Sequence, residues 1–121
     1  MKKEYRVKKS SEIKMIVKSR QSKANKYFVI YKKENHVNNH FRFAVSVSKK
    51  YGNAVERNKI KRRVREIISK FDIIDTFDVF VVVRLDAKKI TFNEIKDSIT
   101  SLVKKLNIMR WKKWKNQREF S

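Results

Sequence analysis

No cysteine, no proline and a single glycine occur in the 121 residues, and each absence removes a class of answers. Without cysteine there is no disulfide framework, no thiolate metal site and no cysteine nucleophile. Without proline, and with Gly52 standing alone, turns must be made by Asn, Asp, Ser and Lys, so element ends are only weakly marked. No segment approaches the roughly 20 apolar residues of a membrane span, and residues 1–6 lack the apolar run of a secretion signal, so a soluble, cytoplasmic protein is expected. Acidic residues are scarce too: 12 stand against 33 Lys and Arg, a formal net charge of +21. A chain this cationic repels itself and relaxes on a polyanion. RNA, DNA and an anionic membrane surface are the candidates, and a 12% aromatic content with regular apolar periodicity places the charge on a folded scaffold. The length supports one compact domain with one core.

Along the chain, Ser11 is expected to cap a first helix carrying Ile13, Ile16 and Val17 at helical spacing. Two strands follow, 27–31 and 41–47, the second alternating Phe41, Phe43, Val45 and Val47 with Arg42, Ala44 and Ser46. The Asn-rich stretch 34–40 between them reads as a hairpin loop, which predicts an antiparallel pair with its phenylalanine face on the core. Asn53, followed three positions later by Glu56, has the form of a capping box and opens a second helix to about Phe71, with Ile60, Val64, Ile67, Ile68 and Phe71 in one stripe. Residues 77–83 form an apolar β-branched run, expected to be a central strand. Thr91 and Glu94 repeat the capping form ahead of a third helix with Phe92, Ile95, Ile99, Leu102, Val103 and Leu106 on its core side. The prediction is a single α+β domain of order αββαβα over 1–106, then a basic tail over 107–121. Trp111 and Trp114 in that tail fit a stacking platform for single-stranded RNA, a membrane-interface patch or closure of the core.

The chemistry concentrates on the second helix. Arg57, Lys59, Lys61, Arg62, Arg63 and Arg65 are six basic residues in nine, with no acid among them. At about 100° per residue, Arg57, Asn58, Lys61, Arg62 and Arg65 share an arc beside the apolar stripe. Like charges at i, i+4 destabilise a helix unless phosphates neutralise them, and guanidinium forks grip two phosphate oxygens at once. The features of an autonomous enzyme are missing: there is no nucleophile elbow, phosphate-binding glycine loop or zinc spacing. His36 and His40 fall in the loop with no partner in view, and Asp72, Asp75 and Asp78 read as helix-stop and turn residues.

The stretch SVSKKYGNAVERNKIKRRVR, residues 46–65, resembles the signature of the bacterial ribonuclease P protein family. The resemblance extends to residues 6–9, 24–31 and the last strand and helix, about 5–106 in all. It implies a sandwich whose central sheet is packed by helices, with a left-handed βαβ crossover, against the usual right-handed rule. It further implies an accessory role in endonucleolytic removal of the 5′ leader of precursor tRNA. The partner ribonuclease P RNA would hold the catalytic Mg²⁺ and perform phosphodiester hydrolysis, leaving this chain with no catalytic residue and no metal site of its own. By the same resemblance Arg57, Asn58, Lys59, Lys61, Arg62 and Arg65, with Lys49 and Lys50, are RNA-binding. Tyr31, Ile13 and Val17 match positions of a cleft for the single-stranded leader. Lys59 stands where Arg is usual, and Ile13 and Val17 where aromatic residues are frequent; the helical spacing of those two fits core positions equally well. Precursor tRNA and ribonuclease P RNA are the partners expected, with no membrane and no obligate protein partner. The rival classes are a structural RNA-binding protein of ribosomal type and a major-groove DNA-binding protein.

Overall fold

The computed structural model describes residues 5–7 and 9–110. Its elements are α1 (Ser10–Lys18), β1 (Ser22–Ala24), β2 (Phe28–Glu34), β3 (Arg42–Val47), α2 (Ala54–Ser69), β4 (Phe77–Val83) and α3 (Phe92–Leu106). The predicted order holds, with the short polar strand β1 added to it. No apolar alternation marks Ser22, Lys23 and Ala24; they are a strand only because they pair antiparallel with Tyr31, Ile30 and Val29.

The sheet runs β1-β2-β4-β3, which corrects the predicted hairpin. β2 and β3 do run in opposite directions, yet they are not partners, because β4 lies between them, antiparallel to β2 and parallel to β3. The physical reason is the composition of β4. Phe77, Val79, Val81 and Val83 face one side and Phe80 and Val82 the other, so the strand needs cover on both faces and is stable only in the middle. The stretch between β2 and β3 makes a hydrogen-bonded turn over residues 35–38 that joins no hairpin; Asn35 and Asn38 donate to the Asp78 carboxylate at the start of β4.

Each face of the sheet has its own cover. Phe28, Ile30, Phe43, Val79, Val81 and Val83 pack with the buried stripes of α2 (Ile60, Val64, Ile67, Ile68) and α3 (Ile95, Ile99, Leu102, Val103, Leu106), as their periodicity predicts. On the opposite face α1 contributes Ile16 against Val7 and Phe80, flanked by Ile13, Tyr31, Ala44 and Val82. Phe92, expected in the core, is 39% exposed. It occupies the first position of α3, ahead of the buried stripe, under the Arg63 guanidinium.

Both capping boxes are present. Asn53 and Thr91 accept from the backbone N–H of Glu56 and Glu94, whose carboxylates bond back to the cap residues. The cap predicted at Ser11 is not: the residue preceding the helix is Lys9, with no side-chain cap bond. Asn53→Ala and Thr91→Ala should each lower unfolding free energy by about 1 kcal/mol, and the two losses should add because the sites share no partner. Denaturant unfolding of the two single variants and the double variant measures both points.

Past α3 the chain turns on Asn107 in the left-handed region, buries Ile108 and Met109, and bridges Met109 to Ile73. Arg110 then pairs with Asp72 and Asp75. Those two acids therefore anchor a later segment, and Asp78 belongs to a strand, not to the turn assigned to it. Trp111 and Trp114 lie outside the described residues.

Candidate nucleic-acid interface

The approach to α2 is built by backbone economy. Ser48 accepts from the Lys50 N–H, opening a 3₁₀ turn over Lys49–Tyr51 that leaves Lys49 and Lys50 exposed and buries Tyr51. Gly52 follows in extended conformation, and a Cβ there would sit 2.6 Å from the Glu56 carboxylate. The chain's one glycine thus stands where the capping acid comes closest. Lys88 donates to the same carboxylate from the turn after β4, and its hydrogen bond, with the Asn53 backbone contact, holds Glu56 below the ordinary carboxylate pKa.

The buried stripe fixes the rotation of α2 and so decides what its basic residues face. Asn58, Arg62 and Arg65 line one groove of about 450 Å³ together with Arg6, Glu66 and Ser69. Arg57 and Lys61 lie on the same side of the helix, half-buried, and Arg57 reaches back to the Asn53 carbonyl. Among the described residues, none of the α2 cations has a carboxylate within ion-pair distance. Desolvation, and after it the neighbouring Arg6 charge, holds the Arg65 guanidinium below its usual pKa.

Lys59 does not join this group. It points to the other flank of α2, in a groove of about 280 Å³ formed with Tyr51, Glu56, Ile60, Arg63 and Lys88. There Lys88 lies over the Tyr51 ring and Arg63 over that of Phe92. The helix therefore presents its polar and cationic residues to two grooves, Asn58, Arg62 and Arg65 to one and Lys59 and Arg63 to the other.

The free edge of β3, beside α1, holds the second feature. A smaller cleft of about 140 Å³ is lined by Arg6, Val7, Ile13, Phe43, Ala44, Val45 and Arg65. Ile13 is half-buried and belongs both to this wall and to the apolar cluster beneath α1. Val17 is 37% exposed and lines neither groove. Tyr31 is half-buried in the same cluster, its ring stacked on Phe80 at 6.0 Å. The sheet register sets Val29, Val82 and Ser46 in one row across the α1 face of the sheet, one step beyond the row of Tyr31, Phe80 and Ala44. Val29, Val82 and Ser46 are not buried, so this part of the sheet is accessible beside α1.

An ion network seats α1 on that face. Arg42 from β3 donates to Glu12 of α1 and to both oxygens of Asp78, which also accepts from Asn35 and Asn38. Burial pushes the Asp78 carboxyl up, but the bonds from Arg42, Asn38 and Asn35 outweigh it and leave the group below its ordinary value. Bonding to Asp78 raises the Arg42 pKa in turn. Sequence reasoning missed this network and also missed Arg6, since the partners lie 30 or more positions apart and no local pattern links them.

His36 lies beside Glu34 and His40 beside its neighbour's carbonyl and the Tyr5 ring. No group of three or more metal-ligating side chains occurs among the described residues, and no helix there is long and apolar enough to cross a membrane.

Comparison with known proteins gives a single answer. The family model described as Ribonuclease P matches residues 1–107. The ribonuclease P protein component of Macrococcus caseolyticus is 46% identical over 106 residues, 86% of this chain and 91% of that protein. That of Bacillus mycoides is 43% identical over 115 residues, 93% and 100% of the two chains. The solved RNase P protein of Staphylococcus aureus superposes with a TM-score of 0.80 at 41% identity, covering 88% of this chain and 98% of its own. That of Thermotoga maritima gives 0.71 at 28% identity, covering 79% and 92%.

Proposed function

Because this chain belongs to the ribonuclease P protein family, and is thus a protein component of that ribonucleoprotein, we propose that its part in the reaction is to hold RNA on two adjoining surfaces. The observation that carries the reading is the α2 groove: Arg62, Arg65 and Asn58, without carboxylate partners among the described residues, open beside Arg6 toward a cleft at the free edge of β3 beside α1. The α2 surface with Lys49 and Lys50 docks on the ribonuclease P RNA. The cleft, with Ile13 in its wall and Tyr31 in the cluster beside it, takes the single-stranded 5′ leader of precursor tRNA.

The division of labour follows from what each surface offers. Rigid helical guanidinium groups neutralise phosphates without first having to be ordered, and single-stranded RNA lies against an apolar, partly open sheet better than a duplex does. A protein that grips the leader distinguishes precursor from product, which has none, and positions the scissile bond. Hydrolysis itself is assigned to the RNA subunit with its Mg²⁺. Three of the acidic residues are already engaged, Asp72 and Asp75 by Arg110 and Asp78 by Arg42. Cytoplasmic localisation is part of the same proposal. Aliphatic Ile13 stacks poorly on bases, so the grip on the leader falls more on Tyr31 and on phosphate contacts than on α1.

The test is cleavage of a precursor tRNA with a labelled 5′ leader by a bacterial ribonuclease P RNA at low Mg²⁺, with and without the protein. Stimulation should grow with leader length until the cleft is filled. RNA binding that leaves cleavage unchanged would instead favour a structural RNA-binding role.

A further inference from the structure

Arg6 is held by its backbone and left unsatisfied at its side chain. A bridge to Phe43, and the Val7 N–H to the Phe43 carbonyl at 2.9 Å, lay the segment along the free edge of β3. The guanidinium then lies beside Arg65, and both residues line the α2 groove and the α1 cleft alike. Among the described residues, Arg6 Nε is the one buried side-chain nitrogen or oxygen with no hydrogen-bond partner. Glu66 lines the groove too, but it forms no ion pair with either arginine. Two like charges sharing a wall are unfavourable, and one anion between them relieves the repulsion.

We propose that Arg6 and Arg65 form a two-guanidinium site for a single RNA phosphodiester, at the junction where the α1 cleft meets the α2 groove. The ligand's two non-bridging oxygens suit the two guanidinium groups, one oxygen to each, with Arg6 donating through its terminal nitrogens because its Nε is shielded from solvent. The depressed pKa of Arg65 beside Arg6 agrees with a site short of one negative charge. Asn58 and Ser69 line the same groove and offer hydrogen bonds to a neighbouring 2′-hydroxyl. The site deepens the proposed function, on which it rests for the identity of its RNA. The phosphate belongs either to the leader or to the RNA subunit.

Two measurements on the full chain decide it. In the free protein, titration with inorganic phosphate should shift the side-chain Nε–Hε resonances of Arg6 and Arg65 together, and Arg65→Gln should abolish the response at Arg6. Independent responses, or an Arg6 response that survives Arg65→Gln, overturn the shared site. In the holoenzyme, Arg6→Gln should cost about tenfold in affinity. If the loss appears as a raised KM only for precursors with long leaders, the phosphate is the leader's; if it appears equally in binding of the RNA subunit alone, it is that subunit's. No loss in either arm overturns the proposal. Arg6→Lys, which keeps the charge but has no guanidinium fork, should retain the salt dependence while losing several-fold in affinity. Should the wild-type protein fail to stimulate cleavage, the functional reading falls, and the phosphate titration still judges the site.

Discussion

Asp78→Ala is expected to destabilise the protein by about 3–5 kcal/mol, the usual consequence of deleting one partner of a buried ion pair. Asp78 is 3% exposed and accepts from Arg42, Asn35 and Asn38. Its removal strands the Arg42 guanidinium with only Glu12, and leaves two amide donors on the β2–β3 connection without their acceptor. Mere loss of packing volume from a residue this small would cost far less. Arg42→Ala combined with Asp78→Ala should therefore cost less than the sum of the single changes, which urea unfolding of all three variants would show. The sign with pH follows from the depressed carboxyl. A folded pKa below the unfolded value of about 3.9 gives a contribution that is full above that value and disappears as pH falls through the folded pKa. Wild-type stability should thus fall more steeply on the acid side than that of Asp78→Ala. Equal acid profiles would mean that the network is not ionised as described.

Arg62→Glu should weaken association with RNA by about 10- to 100-fold at physiological salt, because a charge-assisted hydrogen bond to phosphate gives way to repulsion. The fold should be unaffected, because Arg62 is exposed on α2 and has no partner there. The more telling quantity is the slope of log K against log salt, which should flatten by about 0.7 to 0.9 for each phosphate no longer neutralised. Lys59→Glu provides the comparison, since that residue lines the other groove. If RNA uses only the Arg6 side of the helix, Lys59→Glu leaves the slope unchanged; if RNA reaches both grooves, it lowers it as Arg62→Glu does. An unchanged slope in Arg62→Glu would remove the groove from the interface.

How far the sequence could be read depended on whether the deciding interactions were local. The strand at 77–83 and the capped starts of α2 and α3 were legible, because apolar runs and capping boxes act within a few residues. The basic face of α2 was legible for the same reason. Strand pairing was not: adjacency of the second and third strands suggested a hairpin, whereas the apolar faces of Phe80 and Val82 pull β4 between them from 30 residues further on. β1 was invisible, since Lys23 and Ala24 have nothing strand-like beyond the partner they meet. In the site, the resemblance grouped Arg62, Arg65 and Lys59 in one RNA-binding set, whereas the structure puts the first two on one groove and Lys59 on another, a division that follows from how the Ile60 stripe is seated. Arg6 fell within the resemblance over residues 6–9 but carried no assigned role; its place beside the groove depends on a bridge to Phe43, 37 positions away.

The position of β4 has a consequence for how the protein is made. Among the described residues it is the last strand and an inner one in the sheet, so during synthesis β3 has none of these strands to pair with, and β2 only the three residues of β1, until residues 77–83 have emerged. α2 is already complete by then, with six cations in nine residues and no core behind it. The nascent chain is a polycation before it is a domain. Any polyanion present at that moment, the RNA partner included, meets the cationic helix first and screens its self-repulsion while the strands are still apart. Refolding with RNA present should therefore be faster than without it, because the slow step is closure of distant strand pairs and the helix charge opposes that closure.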